Sequence, residues 1–211
     1  MERKETSDTQ LSSLLSSILD ILLQKGPSRT TMDYVASTLS ISKRTLYEIF
    51  ENKDEMLRAV LHYMHRENHQ KIEEVFRTTP NIIEALITTI NLHREWLVKT
   101  KPVFFRDMDE KYKNLRLTFD KTNESRNMHL GEVIEKGINQ GLFRANCDYE
   151  INLRLLRVQI ESIKRMEEYF PPEITIDAAF EAIARGFLRS ISTVKGIEIL
   201  DKLEEKQQIT T

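Results

Sequence analysis

The 211-residue chain has little of what most non-helical classes require. It holds 6 glycines and 5 prolines, too few for collagen-like or low-complexity chains and for the many turns of an all-β fold. Its one cysteine, Cys147, excludes an internal disulfide framework and a cysteine-based zinc site, and suits a reducing cytoplasm. Neither sign of charge prevails: 31 basic and 33 acidic residues leave a net charge of -2. No global field therefore attracts nucleic acid or membrane, and any anion-binding surface must be local. No apolar run approaches the ~20 residues needed to span a bilayer, and the N-terminal segment lacks a basic stretch followed by an apolar one. What remains is long segments with apolar residues at helical spacing, in a chain long enough to bury a core. The expectation is an all-α, cytoplasmic protein with no membrane contact.

In the first segment Leu11, Leu14, Leu15, Ile18, Leu19 and Leu22 form one apolar stripe that ends at Gly26-Pro27. Thr30 can cap a short helix over 31–39 with Val35 and Leu39 on one side, and Ser42 can cap another reaching Phe50. Asn52 followed by Glu55 has the spacing of a capping box opening a long fourth helix to about Arg77. Pro80 and Pro102 bound a helix from Ile82 to Lys99. Beyond the stretch from Val103 to Met108, a helix is predicted from about Asn114 to Asn139 with Gly141 as its stop. The next begins at Asp148 and ends before Phe170, and the last runs from about Asp177 to Ile199. Domain boundaries are expected at 1–52 for a three-helix head, 53–203 for a helical bundle, and 204–211 for a disordered polar tail.

The helix after Asp148 carries two opposed apolar faces, Ile151, Leu155, Val158 and Met166 against Leu153, Leu156, Ile160 and Ile163. A surface helix of a monomer needs one such stripe, so the second wants another partner. The last helix sets a small-residue lane (Ala179, Ala182, Gly186, Ser190) beside a large one (Phe180, Ile183, Phe187, Ile191). Both patterns suit the two-fold seam of a homodimer.

Residues 26–57, GPSRTTMDYVASTLSISKRTLYEIFENKDEML, carry the functional pattern. Thr30-Thr31, Val35-Ala36, Ile41-Ser42, Thr45-Leu46-Tyr47, Phe50, and Lys53 with Glu55 and Leu57 stand at the spacing of one family. The segment resembles the helix-turn-helix of the tetracycline-repressor (TetR/AcrR) family of transcriptional regulators. The resemblance covers about 50 residues; the rest agrees with the family's plan of about nine helices only in helix number and length. It implies a ligand-responsive repressor that binds a palindromic operator on double-stranded DNA as a homodimer, an unknown small-molecule effector, no enzymatic activity and no cofactor.

The residues agree on physical grounds. The second helix of such a motif enters the major groove and meets base edges with its first turn, here Ser42, Lys43, Arg44 and Thr45. Tyr47 shares a face with Lys43, and the fork of Arg44 matches guanine O6 and N7. Thr31 and Lys53 stand at helix N-termini, where free N–H groups favour phosphate. Four basic residues (Lys25, Arg29, Lys43, Arg44) face one acid, Asp33, over residues 25–47. Two positions depart from the family's pattern. Ser40 stands where a turn glycine is common, which strains a residue that needs a special φ, and Arg44 replaces a helix glycine.

In the resembled family the bundle houses the effector pocket. Candidate lining residues here are Trp96, Phe104, Phe105, Met108, Tyr112, Phe119 and Met128, types that suit an apolar pocket and, more often, an ordinary core. His93, Arg94 and His129 could orient a ligand. His62, His65 and His69 share a helical face about 110° from the apolar stripe and form a solvated face; no metal site is expected. No catalytic triad, phosphate loop or zinc motif occurs. The competing expectation is a helical small-molecule- or partner-binding protein without functional DNA binding.

Overall fold

The computed structural model describes the backbone of residues 2–117 and 128–208, with side chains for 9–117 and 130–205. Among these residues the elements are helical, apart from an isolated antiparallel bridge between Phe143 and Ser192. They are α1 (Glu2–Lys25), a 3-10 turn (Pro27–Arg29), α2 (Met32–Thr38), α3 (Lys43–Ile49), α4 (Lys53–Thr78), α5 (Ile82–Lys99) and α6 (Pro102–Glu110). After a helical stretch at 113–117 follow α7 (Met128–Asn139), α8 (Tyr149–Lys164), α9 (Met166–Tyr169), α10 (Ile176–Ile191) and α11 (Val194–Gln208). The all-α expectation holds. The chain forms two compact units, Met1–Lys71 with Lys99–Thr122, and Ile72–Val98 with Asn123–Thr211.

In the first unit α1 buries Leu15, Ile18 and Leu22, the stripe that its spacing predicts. It stops at Gly26, whose φ of +78° favours glycine and whose N–H still donates to Leu22 O at 2.9 Å. A Cβ at Gly26 would lie 2.7 Å from Asp107 Oδ2, so the close approach of α6 also requires glycine. Asp107 is buried, and its Oδ2 accepts the Ser28 N–H at 2.8 Å. This contact satisfies a backbone donor of the 3-10 turn that the turn itself leaves open. α6 packs on both α1 and that turn.

The cap of α2 is one residue later than predicted. Thr31 Oγ1 accepts the Tyr34 N–H at 3.1 Å, while buried Thr30 donates its hydroxyl to Gly26 O at 2.9 Å. Thr30 therefore braces the turn rather than starting the helix. The box at α4 forms: Asn52 Oδ1 accepts the Glu55 N–H at 3.0 Å, and the Glu55 carboxylate accepts the Glu51 N–H at 2.6 Å. α5 spans the predicted residues between the two prolines.

The second unit centres on Ile82, Ile83, Leu142, Phe143, Leu188, Ile191 and Leu200. Gly141, with φ +69°, turns the chain after α7 so that Leu142 and Phe143 enter this core. Their backbone then pairs with the segment after α10: Arg144 N–H donates to Ile191 O and Thr193 N–H to Leu142 O, both at 2.9 Å. That pairing divides the single last helix expected over 177–199 into α10 and α11, with the Thr193 hydroxyl accepting the Gly196 N–H at 3.2 Å as the new cap. Nor does a loose tail begin at Glu204. α11 continues to Gln208, and Glu204 pairs with Arg185 and Arg189, the latter also holding Asp201. Arg94 donates to Asp177 at 2.6 Å, and this guanidinium holds the Asp177 carboxyl below the usual carboxylate range. The helix after Asp148 breaks at Arg165, so its last turn is the separate α9. α8 packs on α10. Of its two apolar faces, that of Ile163 is turned inward, whereas Ile151, Leu155 and Val158 are exposed, Val158 at 68%. Residues 118–127, within the predicted helix from Asn114, lie outside the described residues.

Candidate nucleic-acid interface

α2 and α3 pack against each other through small and apolar residues. Val35 and Leu46 are fully buried, and Ala36, Met32 and Phe50 nearly so. The turn between them closes with the Leu39 N–H on Val35 O and the Ile41 N–H on Ala36 O, both at 3.0 Å. Such a reversal forces one residue into the left-handed region, and it is Ser40, with φ +53°. Ser40, at the position where the resembled family commonly has glycine, thus takes a positive φ without being glycine. Ser42 then caps α3, its Oγ accepting the Thr45 N–H at 3.0 Å and lying 2.7 Å from the Thr45 hydroxyl.

With Leu46 and Phe50 anchored inward, the opposite side of α3 is free. Ser42, Lys43, Arg44, Thr45 and Tyr47 are all exposed, as is Thr31 at the start of α2. Six of the seven predicted contact residues therefore lie exposed on the two packed helices or at their caps. Lys53 differs. Half-buried at the start of α4, its ammonium donates to Ser28 O at 3.2 Å and lies 5.7 Å from the Tyr112 ring centroid. It is thus engaged with the loop ahead of α2.

The charges pair in a way that composition does not reveal. Lys43 Nζ lies 2.7 Å from Asp33, across the turn, and Arg44 Nε donates to Glu48 Oε1 at 2.9 Å within α3. Both basic side chains of the exposed helix are thereby matched by an acid. The i, i+4 spacing of Arg44 and Glu48 was legible; the Asp33 contact needed the turn's geometry. Behind them Lys25 stands 4.0 Å from the Tyr34 ring centroid, and its bond to the phenol lowers the Tyr34 pKa.

The seven candidate pocket residues do not fall in one unit. Phe104, Phe105 and Met108 are buried on α6 and Tyr112 is half-buried after it, all in the first unit, with Phe104 and Phe105 edge to face at 5.7 Å. Trp96 is half-buried on α5 in the second. Phe119 lies outside the described residues, as do the side chains of Met128 and His129. His93 Nδ1 lies 2.9 Å from Thr89 O. His62 is exposed and His65 and His69 half-buried on α4. Among the described residues no group of three or more His, Cys, Asp or Glu is placed to hold a metal ion, and no helix is long and apolar enough to cross a membrane.

Residues 14–60 match the family model described as bacterial regulatory proteins, tetR family. The chain is 26% identical over 154 residues to the uncharacterized HTH-type transcriptional regulator YhgD of Bacillus subtilis, covering 71% of this chain and 80% of that protein. It is 25% identical over 149 residues to the HTH-type transcriptional repressor KstR2 of Rhodococcus jostii, covering 68% of this chain and 72% of the relative. A TetR-family transcriptional regulator from Agrobacterium tumefaciens shares the fold, with a TM-score of 0.69 over 88% of this chain and 99% of its own at 14% identity. Motif, the exposed face of α3 and fold point the same way: residues 14–60 are similar to the bacterial regulatory proteins of the tetR family, and the chain is similar over 71% of its length to an HTH-type transcriptional regulator.

Proposed function

We propose that the protein is a ligand-responsive repressor, acting in the cytoplasm, that binds a palindromic operator as a homodimer. The observation that carries the DNA contact is the outer face of α3, where Ser42, Lys43, Arg44, Thr45 and Tyr47 stand exposed over a helix anchored by Leu46. In this reading Arg44 meets a base edge, Lys43 and Tyr47 flank it, and Thr31 and the start of α4 at Lys53 hold phosphates. The head is residues 1–52, and the remainder serves the effector and the dimer. The exposed Ile151, Leu155 and Val158 row of α8 supports the dimer: one apolar face is covered within the protomer, and the other fits a second copy. The effector we assign to the aromatic residues of α6, Phe104 and Phe105, with Met108 and Tyr112. Relief of repression then requires the ligand to favour the state that does not bind DNA, since equal affinity for both shifts nothing.

The test measures binding of fluorescent duplexes over a salt series. Wild-type protein is expected to bind more weakly as salt rises, because phosphate contacts release counterions. Arg44→Ala is expected to cost about 1–3 kcal/mol on a selected operator and little on scrambled DNA. Salt-independent or absent binding would favour a helical ligand- or partner-binding protein instead. In the same preparation Val158→Glu should convert a sedimenting dimer to a monomer.

A further inference from the structure

α3 makes about 100° of turn per residue, which sets Arg44 and Glu48 about 20° either side of the direction opposite Leu46. Leu46 is fully buried, so this pair occupies the outermost ridge of the helix; the side chains are 89% and 60% exposed. A carboxylate there faces the strong negative field of a groove lined by phosphates. An exposed i, i+4 pair adds little to helix stability, so stability alone does not account for an acid at that point. Major-groove chemistry offers it one kind of partner: an exocyclic amino group, above all cytosine N4. The pairing also shapes Arg44. Its Nε–H is held by Glu48 at 2.9 Å, which leaves the two terminal nitrogens as the edge able to address guanine O6 and N7.

On these grounds, and resting on the DNA-binding reading above, we infer that Glu48 is a specificity-determining residue. It selects a cytosine amino group beside the guanine addressed by Arg44, and it disfavours DNA that cannot supply one. Asp33 has a different part. It lies on α2 and engages Lys43 at 2.7 Å, off the outer ridge, so it tempers general attraction to DNA without reading a base.

Selection from a random-sequence duplex library, followed by affinity measurement on the enriched sequences, separates these parts. Wild-type protein should enrich a fixed C·G pair at one position of each half-site. Glu48→Gln should move that preference toward adenine, whose N6 and N7 suit a glutamine, and Glu48→Ala should abolish it, each weakening discrimination about tenfold. With Arg44 released to reach phosphate, binding of random DNA by Glu48→Ala should tighten and its log–log salt slope steepen by about 0.9. Asp33→Asn should tighten binding to all duplexes and leave the base preference unchanged. Both acids are exposed, so equal melting temperatures will confirm that the variants fold. A wild-type motif that both Glu48 variants reproduce would overturn the inference, as would Asp33→Asn and Glu48→Gln behaving alike. A wild-type protein that enriches no sequence fails the DNA-binding reading itself, a separate result.

Discussion

The two turns flanking α2 face the same problem and answer it differently. Each needs a residue at positive φ, Gly26 at +78° before the helix and Ser40 at +53° after it. Gly26 is buried against Val103 and Asp107, and a side chain has no room there. Ser40 is exposed, with space for its side chain and only its backbone under strain. Packing therefore dictates the residue at the first turn. At the second the chain tolerates a conformational cost of about 1–2 kcal/mol, close to the surface proposed to meet DNA.

Three substitutions probe that contrast. Gly26→Ala should be the most damaging, since strain at φ and the clash with the α6 carboxylate combine to about 3 kcal/mol; thermal melting and loss of DNA binding would report it. Asp107→Ala removes the nearest contact to a Cβ at Gly26 but strands the part-buried Ser28 N–H, and a denaturant titration should show a loss of about 2 kcal/mol. If Asp107→Ala reduced the further cost of Gly26→Ala by about 1 kcal/mol or more, leaving mainly the strain at φ, the steric part of the contrast would be established. Ser40→Gly should act in the opposite direction. Relief of strain, partly offset by the greater freedom of the unfolded chain, should stabilise by about 1 kcal/mol or less. A destabilising result at Ser40 would mean that its hydroxyl contributes something that its exposure does not suggest.

Much of this was legible in the chain, and the exceptions have a common cause. The bounds of α5 follow from two prolines and an apolar stripe, and the caps at Ser42 and Asn52 from side chains acting within three residues of themselves. What could not be read depended on distant partners. No glycine or proline marks the break after Ile191; it exists because Leu142 and Phe143 pair with that segment. In the same way the helix-turn-helix spacing displays the exposed residues of α3, but not that Lys53 reaches Ser28 or that Lys43 is matched by Asp33. Aromatic composition brought Trp96 and Phe104 into one candidate pocket, whereas compactness assigns them to different units.

The bond from Ser28 to Asp107 also has a consequence for the timing of synthesis. Its partners are 79 residues apart, so at about 5–20 residues per second the carboxylate leaves the ribosome roughly 4–16 s after the turn it completes. The helices α1, α2 and α3 can form as they emerge, but the loop ahead of α2 is locked only when α6 arrives. A nascent chain arrested between those points would carry α2 and α3 without this brace, and protease added to such arrested chains should cut between α1 and α2 until Asp107 has been released.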